Sequence, residues 1–349
     1  MSTTATLPTT TLGADGPLIG TQGLGCMGIS EFYGDTDAAE SRATLDHALE
    51  LGVTLFDTAD VYGSGHNEEF LADFVRANRE NLLIATKFGI VRKADDPSFR
   101  GFDNSPAYIR ASVEASLRRL GVDTIDLYYM HRRDPRVPIE ETVATMAELV
   151  AAGKVRALGL SEVTGDELRA AHAVHPIAAL QSEWSLFSRD VERTAVPAAA
   201  ELGVAFVPYS PLGRGFLTGA FTSAAELGDQ DFRKFQPRFT GDNAQHNAAL
   251  LTPLAAIAAA HDITQAQVAL AWVHARAGVH DLSVVPIPGT RKRTRLAENV
   301  AAASVRLSVD ELAALEPIAE QVAGSRYADM TFTSAGREQS PATTGDRAE

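Results

Sequence analysis

The sequence predicts a single α/β domain built as a (β/α)8 (TIM) barrel. Three observations lead there: short apolar runs that recur along the chain, helical spacing between them, and about eight such pairs. The runs lie at 53–57, 82–86, 125–130, 155–160, 178–181, 204–208 and 283–287, and a first strand fits near 21–27. Short, nearly continuous apolar runs suit strands covered by helices on both faces. Between them, 39–51 sets Ala43, Leu45, Ala48 and Leu49 at helical spacing. Segment 106–120 opens on Pro106, whose fixed φ suits a first helical turn. Segment 139–152 runs into Gly153 and 191–202 into Gly203, both suited to the left-handed residue that ends a helix. Alternation alone fits a doubly wound sheet almost as well.

Composition narrows the setting. The 349 residues are 45% hydrophobic and 22% charged, enough for one sizeable core. A formal net charge of −14 argues against nucleic acid or an anionic membrane as the main partner. Cys26 stands alone, so no internal disulfide is possible, as suits a reducing compartment. No signal-peptide pattern opens the chain, and no apolar run approaches the roughly 18 residues of a membrane helix. A cytoplasmic location is therefore expected. Residues 1–17 and 326–349 are polar and turn-prone and read as flexible tails around a barrel at 18–325. His172, His175, His246, His261, His274 and His280 show no metal-ligand spacing with carboxylates or cysteines, so no metal is expected.

Segment 213–248, with five glycines, interrupts the rhythm after the seventh strand. On a barrel that is the active face, and a lid is the expected role, against a mobile excursion without one. The start holds a different trap. Gly23-Leu24-Gly25-Cys26-Met27-Gly28 matches the dinucleotide pattern G-x-G-x-x-G. That pattern binds pyrophosphate only where it opens a helix, and helical spacing here begins near Asp37. The glycines more plausibly allow a tight loop.

The chemistry gathers at the strand ends, where a barrel keeps its reactive groups. Asp57 and Tyr62 follow the second strand, Lys87 the third and His131 the fourth. Singly, each fits a cap, a solvated charge or a structural histidine. Together they interlock. Carbonyl reduction needs a proton for the oxygen as it becomes an alkoxide, and a tyrosine can supply it. A neighbouring Lys87 would bring the phenol nearer to working pH, Asp57 would keep Lys87 charged, and His131 could polarise the carbonyl.

At these residues the sequence resembles the aldo-keto reductase family, from about residue 20 to 316. The carrying motifs are Gly25-Cys26-Met27-Gly28, Phe56-Asp57-Thr58-Ala59-Asp60-Val61-Tyr62-Gly63, Ala85-Thr86-Lys87, Asp126-Leu127-Tyr128-Tyr129-Met130-His131, Gly159-Leu160-Ser161, Tyr209-Ser210-Pro211-Leu212-Gly213 and Ile287-Pro288-Gly289-Thr290. The resemblance implies the barrel, NADPH dependence and a catalytic Asp57/Tyr62/Lys87/His131 set, with hydride from the nicotinamide. It implies Ser161 and Gln181 on the carboxamide, with Glu162 where the family has Asn, and Trp184 stacked on the ring. A carboxylate cannot offer an amide's paired donor and acceptor, which sets Glu162 aside. Backbone at Ser210, Pro211, Leu212, Gly213 and Gly215 can approach the pyrophosphate.

Four cations fall within residues 291–295: Arg291, Lys292, Arg293 and Arg295. In so acidic a chain the cluster calls for an anion, and the 2′-phosphate of NADP fits, with a solvated basic helix face as the alternative. The family motif maps Thr290, Arg295, Glu298 and Asn299 onto the adenosine end. Gly289 stands where many members have Lys, with Arg291 or Lys292 as its substitute. Phe32, Tyr33, Phe88, Arg132 and Trp184 are expected to line the substrate pocket, Arg132 facing either an acidic or polar substrate or a loop carboxylate. Two other functions share this architecture: a cofactor-binding regulatory module, as in potassium-channel beta subunits, and a Schiff-base lyase working through Lys87.

Overall fold

The computed structural model describes residues 7–339 except 32, 35, 94, 95, 97, 98, 100 and 230. Seven parallel strands form a curved sheet: β1 (Leu24–Gly25), β2 (Leu55–Asp57), β3 (Leu83–Phe88), β4 (Ile125–Met130), β5 (Val155–Ser161), β6 (Ile177–Glu183) and β7 (Ala205–Tyr209), each bonded to the next. Segment 283–287 closes the ring. Phe206 N donates to Ser283 O at 2.8 Å and Ile287 N to Pro208 O at 3.0 Å on the β7 side. Gly23 N donates to Pro286 O at 3.0 Å on the β1 side. The predicted barrel is thus the observed one.

Two layers of side chains follow from the two-residue period of each strand. Leu55, Ala85, Leu127, Tyr129, Ala179, Ala205, Val207, Val285 and Ile287 point inward and fill the barrel. Their neighbours, such as Ile84, Tyr128, Met130, Leu158, Leu160 and Phe206, point outward against the helices. The interior is tightly fitted: a Cβ at Gly159 would sit 2.4 Å from the Tyr129 ring, so the large residue on β4 requires the small one on β5.

The helices follow their strands in order: α1 (Ala38–Glu50), α2 (His66–Ala77), α3 (Pro106–Leu120), α4 (Ile139–Ala151), α5 (Gly165–Val174) and α6 (Ala195–Leu202). Asp37 caps α1 by accepting from Ala39 N at 2.8 Å, and Ser105 caps α3 ahead of Pro106. Gly153 and Gly203 adopt φ of 73° and 66° after α4 and α6, as their sequence positions require.

Two segments differ from expectation. Residues read as an N-terminal tail include a strand, Thr9–Thr11, paired antiparallel with Leu18–Gly20. Leu12 and Ile19 of this hairpin reach into the barrel from the N-terminal ends of its strands. Residues read as a C-terminal tail are docked as far as Gln339: Arg326 is 3% exposed and Ser334–Gln339 forms a helix. Polar composition suggested looseness, but these polar groups have remote partners that composition does not reveal. Residues 1–6 and 340–349 lie outside the described residues.

The described residues of segment 213–248 are also ordered. It folds into short turns at Gly213–Thr218, Ala224–Glu226, Phe232–Phe235 and Pro237–Phe239, then α7 (Gly241–Ala249). Phe216 stacks on Phe239 at 5.2 Å and meets Phe221 at 5.3 Å, and Phe187 at 5.7 Å ties this group to the main core. Helices α8 (Thr252–Ala260), α9 (Gln265–His280) and α10 (Arg293–Ala301) complete the outer layer.

Candidate active site

Four side chains converge where β2, β3 and β4 end. Lys87 points inward from β3 and is 0% exposed. Its Nζ donates to Asp57 Oδ1, and to Thr58 O at 2.6 Å. The same nitrogen lies 5.1 Å from the centre of the Tyr62 ring. Tyr62 opens a tight turn, Tyr62–Gly65, in which Gly63, Ser64 and Gly65 all have positive φ. His131 meets Tyr62 edge-on, with ring centres 5.8 Å apart. Gln181 Nε2 donates to the second oxygen of Asp57 at 2.8 Å.

Burial dominates the electrostatics. It raises the Tyr62 phenol above its ordinary 10.0, although Lys87 pulls the other way. The expected lowering by Lys87 is real but outweighed, because the ring is largely withdrawn from water. Tyr62 therefore keeps its proton. Burial alone would discharge Lys87, but Asp57 and Tyr62 more than offset it and its pKa is raised. Burial, then Arg132 and Lys87, push His131 well below 6.5, so its ring is neutral. His131 Nδ1 is buried without a hydrogen-bond partner among the described residues.

The other half of the mouth is built by β5, β6, β7 and the C-terminal segment. Arg132, 8% exposed, reaches across to it: Nη1 donates to His131 O at 2.7 Å and to Ser161 Oγ at 3.2 Å. Tyr209 at the end of β7 donates its hydroxyl to Glu162 Oε1 at 2.7 Å. Glu162 is 0% exposed, with φ of 53°. Arg326 grips it at 2.9 and 3.2 Å, and Ser334 N donates to it at 3.1 Å. Burial would raise its pKa, but Arg326 and Arg132 overcome this and hold it far below 4.5. Phe332 and Tyr327, ring centres 4.9 Å apart, are carried to the rim by the same segment.

Past the closing segment, Thr290 Oγ1 accepts from Lys292 N at 3.2 Å just before α10. Arg291 is turned inward: its guanidinium donates to Gly28 O at 3.0 Å and Tyr33 O at 2.7 Å. Arg293 pairs with Glu40 at 2.9 Å. Lys292 and Arg295 are exposed, and neither holds a carboxylate within 4 Å among the described residues. Glu298 accepts from Thr264 Oγ1 at 2.7 Å, and Asn299 is buried. After β7, Ser210, Gly213, Arg214 and Gly215 all have positive φ, bending Ser210, Pro211, Leu212 and Gly213 into a compact turn.

The sequence profile of the Aldo/keto reductase family matches residues 22–320. The chain belongs to this family. Its fold is shared with the glycerol dehydrogenase AKR11B4 from Gluconobacter oxydans, at 29% identity and a TM-score of 0.79, over 94% of this chain and 99% of that one. It is also similar to the thermostable aldo-keto reductase Tm1743, solved with the inhibitor epalrestat: 29% identity, TM-score 0.70, 89% and 100% coverage. A third relative is the aldo-keto reductase AKR11C1 from Bacillus halodurans in its holo form, at 25% identity, TM-score 0.71, 93% and 99% coverage. The chain is thus an oxidoreductase of a family that uses nicotinamide cofactors.

This aldo/keto reductase departs from the sequence reading at several residues. Trp184 does not face the mouth. It is 0% exposed in the strand–helix layer, packed on Phe206 and His280 and donating Nε1 to Glu192 at 2.9 Å. Phe88 likewise faces outward, against Tyr128 at 5.1 Å, because it follows the inward Lys87 by one residue. Neither can touch a ligand in the mouth. Arg291 is oriented by two main-chain carbonyls, Gly28 O and Tyr33 O. A Cβ at Gly289 would lie 2.9 Å from Gly25 O, which explains the glycine there. Tyr33 stands at the rim, edge-on to Phe232 at 5.4 Å and beneath Arg233. Phe32 lies outside the described residues. The sequence reading missed Tyr209, Tyr327 and Phe332. Tyr209 was within reach, since it shares the inward parity of Ala205 and Val207. No local signal marks the other two.

Proposed function

We propose that this aldo/keto reductase reduces an aldehyde or ketone to the alcohol with NADPH, Tyr62 giving the proton to the carbonyl oxygen. The observation that carries the reading is the buried Asp57–Lys87–Tyr62–His131 cluster at the barrel mouth. The residues across the mouth fit a dinucleotide. Ser161 and Gln181 offer polar groups, the Tyr209 ring offers a stacking face, and Lys292 with Arg295 offers exposed positive charge just past the closing segment. Bound there, the cofactor supplies the hydride equivalent that carbonyl reduction needs.

The protein's part is acid catalysis. Tyr62 holds its proton until the substrate oxygen gains charge, then transfers it as the alcohol O–H forms. The phenolate left behind is stabilised by Lys87⁺, which Asp57 keeps charged. Neutral His131 helps to orient and polarise the carbonyl without competing as an acid. The same ion pair speaks against a Schiff-base lyase, since a charged Lys87 lacks the free electron pair such chemistry needs. The test is direct. Purified protein should change NADPH fluorescence and consume NADPH only when an aldehyde or ketone is added. Absence of binding, or of consumption across a broad carbonyl panel, would remove the proposal.

A further inference from the structure

Arg132 differs from the arginines around it in how its charge is met. At the barrel mouth Arg92 pairs with Glu31 at 2.8 Å, Arg214 with Glu183 at 3.4 Å, Arg233 with Asp231 at 2.6 Å and Arg326 with Glu162 at 2.9 Å. Arg132 holds no carboxylate within 4 Å among the described residues. The acidic group that most affects it after Tyr209 is Glu162, and that carboxylate is already claimed by Arg326, the Tyr209 hydroxyl and Ser334. Arg132 itself donates only to neutral oxygens: His131 O, Ser161 Oγ and, weakly, the Tyr209 hydroxyl at 3.5 Å.

Withdrawing a guanidinium from water without a counter-charge is costly. Here Tyr209, Glu162 and Tyr327 outweigh that cost and raise its pKa, and the group sits 5.7 Å from the Tyr209 ring and 5.9 Å from the Phe332 ring. Both rings flank the guanidinium. Arg132 follows His131 in sequence and donates to its carbonyl, and the His131 ring meets the Tyr62 ring at 5.8 Å. A ligand that meets Arg132 therefore lies on the same side of the mouth as His131.

We propose that Arg132 is the anchor for a carboxylate on the substrate, so that the preferred substrates are oxo acids: carbonyl compounds that also carry a carboxylate. This rests on the reductase reading and names its substrate class. The planar fork of Arg suits a carboxylate's two oxygens. The net charge of −14 works against long-range capture of an anion, so the selectivity arises at the mouth itself.

The experiment compares kcat/KM for glyoxylate and para-carboxybenzaldehyde with that for their methyl esters, with NADPH as reductant. The wild-type acid-to-ester ratio should be about ten or higher for at least one pair, the effect of a charge-assisted contact. In Arg132→Gln that ratio should fall at least about ten-fold, and Arg132→Lys should restore part of it. A wild-type ratio at or below one for both pairs, or a ratio unchanged in Arg132→Gln, overturns the proposal. Glutarate, which cannot be reduced, supplies a readout independent of turnover. It should protect the wild-type–NADPH complex from heat and fail to protect Arg132→Gln; no protection of wild type counts against the anchor. The reductase reading fails separately, when uncharged carbonyl compounds also leave NADPH unconsumed.

Discussion

The two halves of the barrel mouth are assembled by different means. The half that ends β2, β3 and β4 is made from residues at successive strand ends. Lys87 and Asp57 are 30 positions apart, one β–α unit. The half that ends β5, β6 and β7 is completed from far away: Glu162 meets Arg326 across 164 positions and Ser334 across 172. The first half gathers the proposed proton donor and its ion pair; the second clamps a buried carboxylate under a docked segment. The contrast teaches that proton chemistry can sit on strand ends alone, while the opposite wall depends on the chain returning to the mouth after the barrel has closed.

Mutations can break that contrast, beginning where the effect should be largest. Tyr62→Phe should lower kcat by about 10²–10⁴-fold and leave NADPH affinity intact, measured by fluorescence titration and steady-state rates. The pH profile sharpens the same point. Reduction needs Tyr62 protonated and His131 neutral, so kcat/KM should be level from 6.5 to 10.0 and decline only above that, as the phenol ionises. A titration near 6.5 in that profile would show His131 to be solvated.

Glu162→Gln attacks the other half through stability. Breaking a buried pair leaves Arg326 with only the longer contact to Asp190 at 3.5 Å, at a cost of about 3–5 kcal/mol in denaturant melts. Because the folded pKa of Glu162 is depressed, its contribution is full above pH 4.5 and fades as pH falls below it. The difference between mutant and wild type should shrink in that acid range. Protease cleavage within 326–339 should also quicken.

A double change of Lys292 and Arg295 to Ala should weaken NADPH about ten-fold and leave NADH affinity unchanged, the smaller effect expected of exposed cations. Equal weakening of both cofactors would place the 2′-phosphate elsewhere. Trp184→Phe should be smallest at the mouth: dinucleotide affinity within about two-fold of wild type, with stability lowered by about 1–3 kcal/mol through the lost Glu192 bond and a packing void.

Most of the fold was legible because buried parallel strands must be apolar and their helices must stop where glycine allows. The Asp57–Tyr62–Lys87–His131 group was legible for the same reason, since strand ends can be counted. The errors have one physical cause. Adjacent strand residues face opposite sides, so Lys87 inward commits Phe88 outward. Trp184, three positions after inward Gln181, also falls on the outer face. Tail composition misled in another way, because Arg326 and Arg337 look solvated until Glu162 and Glu167 are brought to them. Those partners are set by topology, which spacing along the chain does not encode.

The hairpin that sends Leu12 and Ile19 into the barrel has a practical side. It stoppers the end remote from Tyr62, while the chain at Gln339 leaves beside α5, on the rim. An immobilised preparation tethered through its amino end would present the mouth to the liquid. One tethered after Gln339 would hold its own doorway against the support, and diffusion of carbonyl compounds to the surface would set its rate.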